Sequence, residues 1–337
     1  METGLEEVVN GGPRMGTTLY AFTLEWRSGK YTLETMLAEV ARRKLSPVVE
    51  MVGFQSIRGF PLISDAFARD FRNWMDKYEL RTSSLAINAD VAIRPGAKLT
   101  EDETVEYLAR QVEAAAKLGF PVVRSQMTAK APVMRKLLPV AEKYNIKIGN
   151  ELHSPYTLDH PDVISLINLY DELQSPLLGF VPDFGNSMHA IPKGLLTSFS
   201  KDGIPDSLLQ LIQNIWYSDM PTFEKYSLLQ KEGAALNGTP AQLGRLNMLL
   251  NLFSRQKPER WLEVMNRIVH VHGKFYSMEN GEEPSIDYPA LMKVFKTGGY
   301  EGTISSEWEG HLFTDEVSAF DIVKEHQTFC NRLLQSA

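Results

Sequence analysis

The chain predicts a single closed β/α barrel, and three observations carry that expectation. Strand-like apolar runs alternate with helix-spaced segments from end to end, the signature of a β/α architecture. Eight such runs can be counted, the number that closes one barrel, and 337 residues is an ordinary length for it. The last four carry Glu151, Asp183, His272 and Glu307 at or near their C-terminal ends. In a parallel barrel those ends share one rim, where sites of this fold form.

Taken in order, the first strand is expected over 16–22, behind a loose extension at 1–15 that runs through Asn10-Gly11-Gly12-Pro13. Leu33, Met36, Leu37 and Val40 fall on one helical stripe and predict a helix over 31–44. A strand over 47–52 and a helix over 65–77 follow. The third strand is expected at 83–88. Its helix opens on a Thr100-Glu-Asp-Glu103 capping box and stops at Gly119. A strand at 121–125, a helix at 131–144, a strand at 146–151, a helix at 159–173 and a strand at 177–183 continue the pattern. The seventh and eighth strands are expected at 268–274 and 302–307, with helices at 288–297 and 315–334.

One connection is enlarged. Between Asp183 and His272 lie 88 residues. Residues 207–216, 222–230 and 240–253 carry Leu, Ile and aromatic side chains at helical spacing. The barrel domain is therefore read as 16–337 with a helical insertion at 187–262. Being tied to the ligand-bearing rim, the insertion is expected to act as a lid or a docking surface, or simply to thicken the wall.

Composition narrows the function classes. Apolar residues make up 43%, enough for a sizeable core, and 35 basic against 42 acidic residues leave a formal charge of −7. That balance argues against a general nucleic-acid or anionic-membrane surface. The lone Cys330 excludes intrachain disulfides and a Cys-rich zinc site, fits a reducing cytosol, and is expected to be a packing residue. No apolar run reaches the length of a membrane span, and the first residues lack a secretory signal pattern. A cytoplasmic enzyme is the expectation. Dinucleotide fingerprints, Walker loops, HExxH motifs and nucleophile elbows are absent from the sequence.

Alternate strand residues share a face, so Glu151 pairs with His153, His270 with His272 and Lys274, and Glu307 with Glu309. Buried ionisable groups need compensation. One divalent cation would satisfy Glu151, Asp183, His272 and Glu307 together, and an oxygen-rich set with one nitrogen suits Mn²⁺ or Mg²⁺, with Co²⁺ or Zn²⁺ possible. The plainer alternative is a salt-bridged layer with Arg124 and Lys274 as counter-ions. His153 is expected over bound substrate as a near-neutral base, or else as a loop cap before Pro155. Lys274 would bind a substrate oxygen or protonate a leaving group. His270 would orient a carboxylate, touch substrate or simply pack. Glu309 and His311 are candidate catalytic, substrate or partner contacts. Glu50, Arg124 and Gln126 lie near earlier strand ends and are expected to reach sugar hydroxyls. Asn186 and His189 follow Asp183 in its loop.

With these residues laid out, positions 16–335 resemble the xylose-isomerase-like TIM-barrel superfamily of sugar isomerases and epimerases. The His270-Val-His272-Gly-Lys274 strand and the Glu307-bearing strand look like that family's ligand positions, with Glu151 and Asp183 before them. Two departures stand out: Asn186 where many relatives carry His, and Gly273-Lys274-Phe275 where many read Lys-Asp after the ligand His. The Glu151-Leu-His153 triplet, the stretch from Ser305 to His311 and the long sixth connection are most similar to the α subunits of bacterial C-glycoside deglycosidases. That branch pairs with a small β subunit and acts on 3-oxo-glucosides.

The resemblance implies a Mn²⁺-dependent lyase in which His153 removes the proton on C2 and the aglycone leaves by β-elimination, protonated by Lys274 or by a partner residue. A sugar isomerase or 3-epimerase working through an ene-diolate shares the first half of that chemistry. A phosphodiester-cleaving DNA-repair enzyme would need more metal ligands and positive charge. A non-catalytic scaffold would need no metal.

Overall fold

The computed structural model describes residues 11–90 and 96–336. Eight parallel strands form the barrel: β1 (Arg14–Thr18), β2 (Val48–Val52), β3 (Arg81–Ile87), β4 (Val122–Ser125), β5 (Lys147–Leu152), β6 (Leu178–Pro182), β7 (Val271–Phe275) and β8 (Thr303–Trp308). Their order is β6-β5-β4-β3-β2-β1-β8-β7, so neighbours in the chain are neighbours in space. The open edges, β6 and β7, meet through isolated parallel bridges, Phe180 with Ile268 and Asp183 with His272, and through a Val269 N–H donated to the Phe180 carbonyl at 3.0 Å. Gly179 makes that seam possible. A Cβ there would stand 2.1 Å from the Arg267 carbonyl oxygen, so any side chain would push the two edges apart.

The wall helices form where local chemistry starts and stops them. Thr100 and Glu103 make the reciprocal capping box of helix Glu101–Leu118, and Gly119 ends it at φ +83°. Leu33, Met36, Leu37 and Val40 are all buried in helix Leu33–Arg42, capped by Thr32. The helices Asp65–Lys77, Ala131–Tyr144, Pro161–Leu173, Tyr288–Thr297 and Ala319–Ser336 complete the ring. Cys330 is buried in the last of them. No helix among the described residues is long and apolar enough to cross a membrane.

Two boundaries differ from expectation. The first strand begins at Arg14, with Met15 buried at 5% exposure, so the barrel starts inside the stretch expected to be a loose extension; residues 1–10 lie outside the described residues. The strand also ends early. Thr18 accepts from the Tyr20 N–H and turns the chain into a 3-10 helix, Leu19–Phe22. The sixth connection holds four α-helices, Lys193–Lys201, Asp206–Tyr217, Thr222–Ala235 and Pro240–Leu252, and a 3-10 stretch, Pro258–Arg267. The sequence pattern does not predict the first of these, because a short Gly-containing segment carries too few apolar positions to show a period.

Candidate metal centre

Glu151 and Glu307 near the C-terminal ends of β5 and β8, Asp183 just beyond β6 and His272 at the second position of β7 come together, each offering one ligand atom within 4.8 Å of the others, and all four buried. The register explains the convergence. Lys274 pairs across β7–β8 with Glu307, and Asp183 bridges to His272 across the seam. His272 Nδ1 lies 2.6 Å from Glu151 Oε1 and 3.2 Å from Glu307 Oε2. Its opposite nitrogen, Nε2, is 2.8 Å from Glu50 Oε1. Asp183 is fixed by accepting the Gly185 N–H at 2.7 Å on Oδ1, which leaves Oδ2 facing the cluster.

Charge is out of balance here. Glu50, Glu151, Asp183, Glu307 and Glu309 are all buried around two permanently charged side chains, Arg124 and Lys274. Lys274 Nζ sits 3.2 Å from Asp183, 3.1 Å from Glu307 and 2.9 Å from Glu309. Arg124 approaches Glu151 at 3.6 Å. Both counter-ions of a salt-bridged layer are thus in place, yet they leave a negative surplus. The surplus shows in the acidities. Burial above all raises the Asp183 carboxyl to about 6, with Glu307 and Glu151 adding to the rise and Lys274 opposing it. Burial opposes a charge on His272, but Glu307, Glu50 and Glu151 together hold that ring well above its ordinary value. Burial alone would raise Glu151, which Arg124 and His272 nevertheless hold well below the carboxylate range.

These residues fit a divalent cation. Asp183 Oδ2, His272 Nδ1 and Glu307 Oε2 make no aligned hydrogen bond: the two carboxylate oxygens meet the Lys274 ammonium at 3.2 and 3.1 Å, and Nδ1 meets only the carboxylate oxygens of Glu151 and Glu307. Three carboxylates and one imidazole are the donor set of a hard or borderline ion. One such ion would give these atoms directed partners and offset the surplus charge.

The other candidate residues divide by position. His153 is half-buried one residue beyond β5, close enough that a charge on it would lower both Glu151 and Asp183. Glu309 joins the Lys274 network and accepts from the Tyr20 hydroxyl at 3.3 Å. His311 is 8% exposed, its Nδ1 3.1 Å from the Trp308 carbonyl and its ring edge-on to Tyr20; burial lowers its pKa. Arg124 faces Glu151, and Gln126 is exposed beyond the end of β4. His189 is also exposed, 3.0 Å from the Pro284 carbonyl.

Glu50 and His270 are each 1% exposed and bound to one another: His270 Nε2 is 3.1 Å from Glu50 Oε2 and 3.0 Å from Ser305 Oγ, so of its expected roles His270 sits where it orients a carboxylate. Both carboxylate oxygens of Glu50 already face imidazole nitrogens, so neither is free for a hydroxyl.

Asn186 and Tyr20 gain roles that the residue pattern does not supply. Asn186 Nδ2 donates to the carbonyls of Leu152 at 2.7 Å and Tyr156 at 3.1 Å, clamping the chain on both sides of His153. The end of the sixth connection adds to this clamp. Gln256 Oε1 accepts the Leu158 N–H at 2.9 Å, its own backbone N–H reaches the Asn186 carbonyl at 2.8 Å, and Ser254 meets Ser154 at 2.8 Å. Tyr20 lies where the sequence predicts strand, and its hydroxyl is the only signal available there.

Comparison with known proteins agrees with this geometry. The family model described as xylose isomerase-like TIM barrel matches residues 47–332. A C-glycoside deglycosidase alpha subunit from Arthrobacter globiformis is 38% identical over 338 residues, covering 98% of this chain and 95% of the relative. A 3'-dehydrocarminate deglycosidase alpha subunit from Microbacterium sp. is 36% identical over 331 residues, covering 95% of each. Among solved structures, a sugar phosphate isomerase/epimerase from Parabacteroides distasonis matches with a TM-score of 0.57 at 14% identity, covering 97% of both chains. A D-tagatose 3-epimerase-like protein matches at 0.52 with 16% identity, covering 96% of this chain and 98% of its own. At those identities the solved structures speak for the fold alone.

Proposed function

Because the chain is an enzyme that belongs to the xylose isomerase-like TIM-barrel family, we propose that it is a metal-dependent lyase of the C-glycoside deglycosidase α type, cleaving oxidised glucosides by β-elimination. The observation that carries this reading is the buried quartet gathered at β5 to β8, amid more carboxylates than Lys274 and Arg124 can offset. The relatives, named as deglycosidase alpha subunits and alike over nearly the whole chain, favour loss of an aglycone over epimerisation as its use.

Glu151, Asp183, His272 and Glu307 would hold the ion, Mn²⁺ by preference and Mg²⁺ or Co²⁺ as alternatives. When bound, a divalent ion supplies Lewis acidity to an oxygen beside the reacting carbon. His153, at the open side of the quartet, is the base that removes the proton on C2 of a 3-oxo-glucoside, where the neighbouring ketone makes that proton acidic. The electron pair released at C2 forms the C1–C2 double bond as the bond from C1 to the aglycone breaks. The aglycone carbon then takes up a proton, leaving an unsaturated ketone. A C–C bond has no bridging oxygen to protonate, so paired-carboxylate glycosidase chemistry does not serve here.

Lys274 does not supply that last proton in this reading. An ammonium has three donors, and three carboxylates surround this one within 3.2 Å. It organises Asp183, Glu307 and Glu309 instead. The acid would come from a companion subunit, in keeping with relatives that are named as alpha subunits. Residues 187–262 are the segment we assign to covering the substrate or receiving that companion.

The test is a 3-oxo-C-glucoside incubated with Mn²⁺ and the purified chain, with and without a companion subunit co-expressed with it. Exchange of the C2 proton in D₂O is expected from the chain alone, and aglycone release only from the pair. Full activity of the isolated chain on free ketoses, with none on oxidised glycosides, would replace this reading with a sugar isomerase or 3-epimerase.

A further inference from the structure

We infer that Glu50 and His270 form a positioning pair beneath the metal centre, fixing the His272 ring so that its Nδ1 lone pair is presented to the ion. The inference rests on the metal-dependent reading above. An imidazole that is neutral carries one N–H and one lone pair, and whatever holds the N–H decides which nitrogen can ligate. His272 turns Nε2 to Glu50 Oε1 at 2.8 Å and Nδ1 toward Glu151 and Glu307. Each nitrogen meets a carboxylate, which only accepts, so without an ion each carries a hydrogen; an ion held among Glu151, Asp183 and Glu307 would take the place of the one on Nδ1, while Glu50 keeps the one on Nε2.

Glu50 is itself held. Its second oxygen faces His270 Nε2 at 3.1 Å, and that nitrogen is also 3.0 Å from Ser305 Oγ. Glu50 comes from β2, separated from β7 by β1 and β8, and pairs across β1–β2 with Thr18. One buried carboxylate thereby reaches through the barrel interior and sets the orientation of a ligand on a non-adjacent strand. The chain invests two histidines in it, spaced i and i+2 so that both rings point inward. Glu50, His270 and His272 also lie close enough to be a separate three-residue ligand group. Hydrogen bonding fits better, since His272 would otherwise have to bridge two ions through both of its nitrogens.

Calorimetric titration of Mn²⁺ into the metal-stripped full-length protein separates these possibilities. Wild type is expected to bind one ion. Glu50→Leu, similar in volume but without an acceptor, is expected to bind it about 10–100-fold more weakly, the range found when a partner behind a metal ligand is removed. Glu50→Gln, which can accept from one ring only, should fall between. An affinity for Glu50→Leu within about twofold of wild type would overturn the inference and leave the metal centre standing. Wild type that binds no divalent ion would overturn both. Two ions in wild type and one in Glu50→Leu would make Glu50 a ligand and overturn the positioning role. Should Glu50→Leu fail to fold, Zn²⁺-loaded wild type labelled with ¹⁵N-histidine decides the question: a proton on His272 Nε2 is expected, and a proton on Nδ1 would overturn the inference.

Discussion

Asp183 and His272 are direct bridge partners across the gap in the barrel's ladder between β6 and β7. Two candidate ligands therefore also join the two free edges of the sheet. An ion held by both would tie its affinity to closure of the barrel at this seam.

Asp183→Asn and Glu307→Gln are expected to lose Mn²⁺ binding and turnover together. Each removes a charge from the donor set while keeping the shape of the side chain. Calorimetry and aglycone release measured on the same preparations check this. Turnover that survives loss of the ion would show that the metal is incidental.

His153→Ala should separate the two properties. Removing a general base typically costs about 10²–10⁴ in rate, while the four ligands remain in place. Unchanged Mn²⁺ affinity with lost turnover is the expected pair of results. Loss of the ion would move His153 into the coordination sphere.

Asn186→Ala removes two donors from the chain around His153. At about 1 kcal/mol per net hydrogen bond, the loss is about 2 kcal/mol. Faster amide exchange over residues 153–158 is expected, with a lower kcat and a nearly unchanged Mn²⁺ affinity. Exchange rates equal to wild type would mean that Gln256 and Ser254 suffice to hold the loop.

His326 gives the fold a dependence on acid. It is wholly buried, stacked on Phe275 at 3.9 Å, and burial lowers its pKa from 6.5 to about 3. The unfolded chain binds this proton below pH 6.5 and the folded chain does not until about pH 3. The contribution of the neutral ring to stability is therefore full above pH 6.5 and declines as pH falls toward 3. One pKa unit corresponds to about 1.4 kcal/mol, so about 2 kcal/mol is lost by pH 5. Chemical denaturation of wild type and His326→Phe at pH 7 and pH 5 checks the sign: the wild type should lose more. Equal losses would show that His326 does not set the acid sensitivity.

The four candidate ligands are legible in the sequence because Glu, Asp and His at the ends of separate buried strands are hard to reconcile with packing alone, and a barrel sends those ends to one rim. Lys274 is legible as a member of the group but not in its role, since its three partners come from β6, β8 and the loop beyond β8. Glu50 misleads for the same reason. Its two histidine partners lie 220 and 222 positions away, and nothing local marks the pairing. Tyr20 is hidden inside an apolar run that looks like strand through Phe22, whereas Thr18 turns the chain out of the sheet. Asn186 stands out only as a departure from a family pattern. Its two backbone contacts depend on the course of the chain around His153, which no residue type reveals.

The stitching of Leu158 and Ser154 to Gln256 and Ser254 bears on how this scaffold can be re-engineered. Trimming residues 187–262 to obtain a minimal catalytic core would also discard the two side chains that steady the proposed base. A shortened version would need to keep the stretch from Leu250 onward, or transplant an equivalent brace. Grafting the long helical connection onto a plain epimerase would, conversely, bring its own support for a histidine at that place.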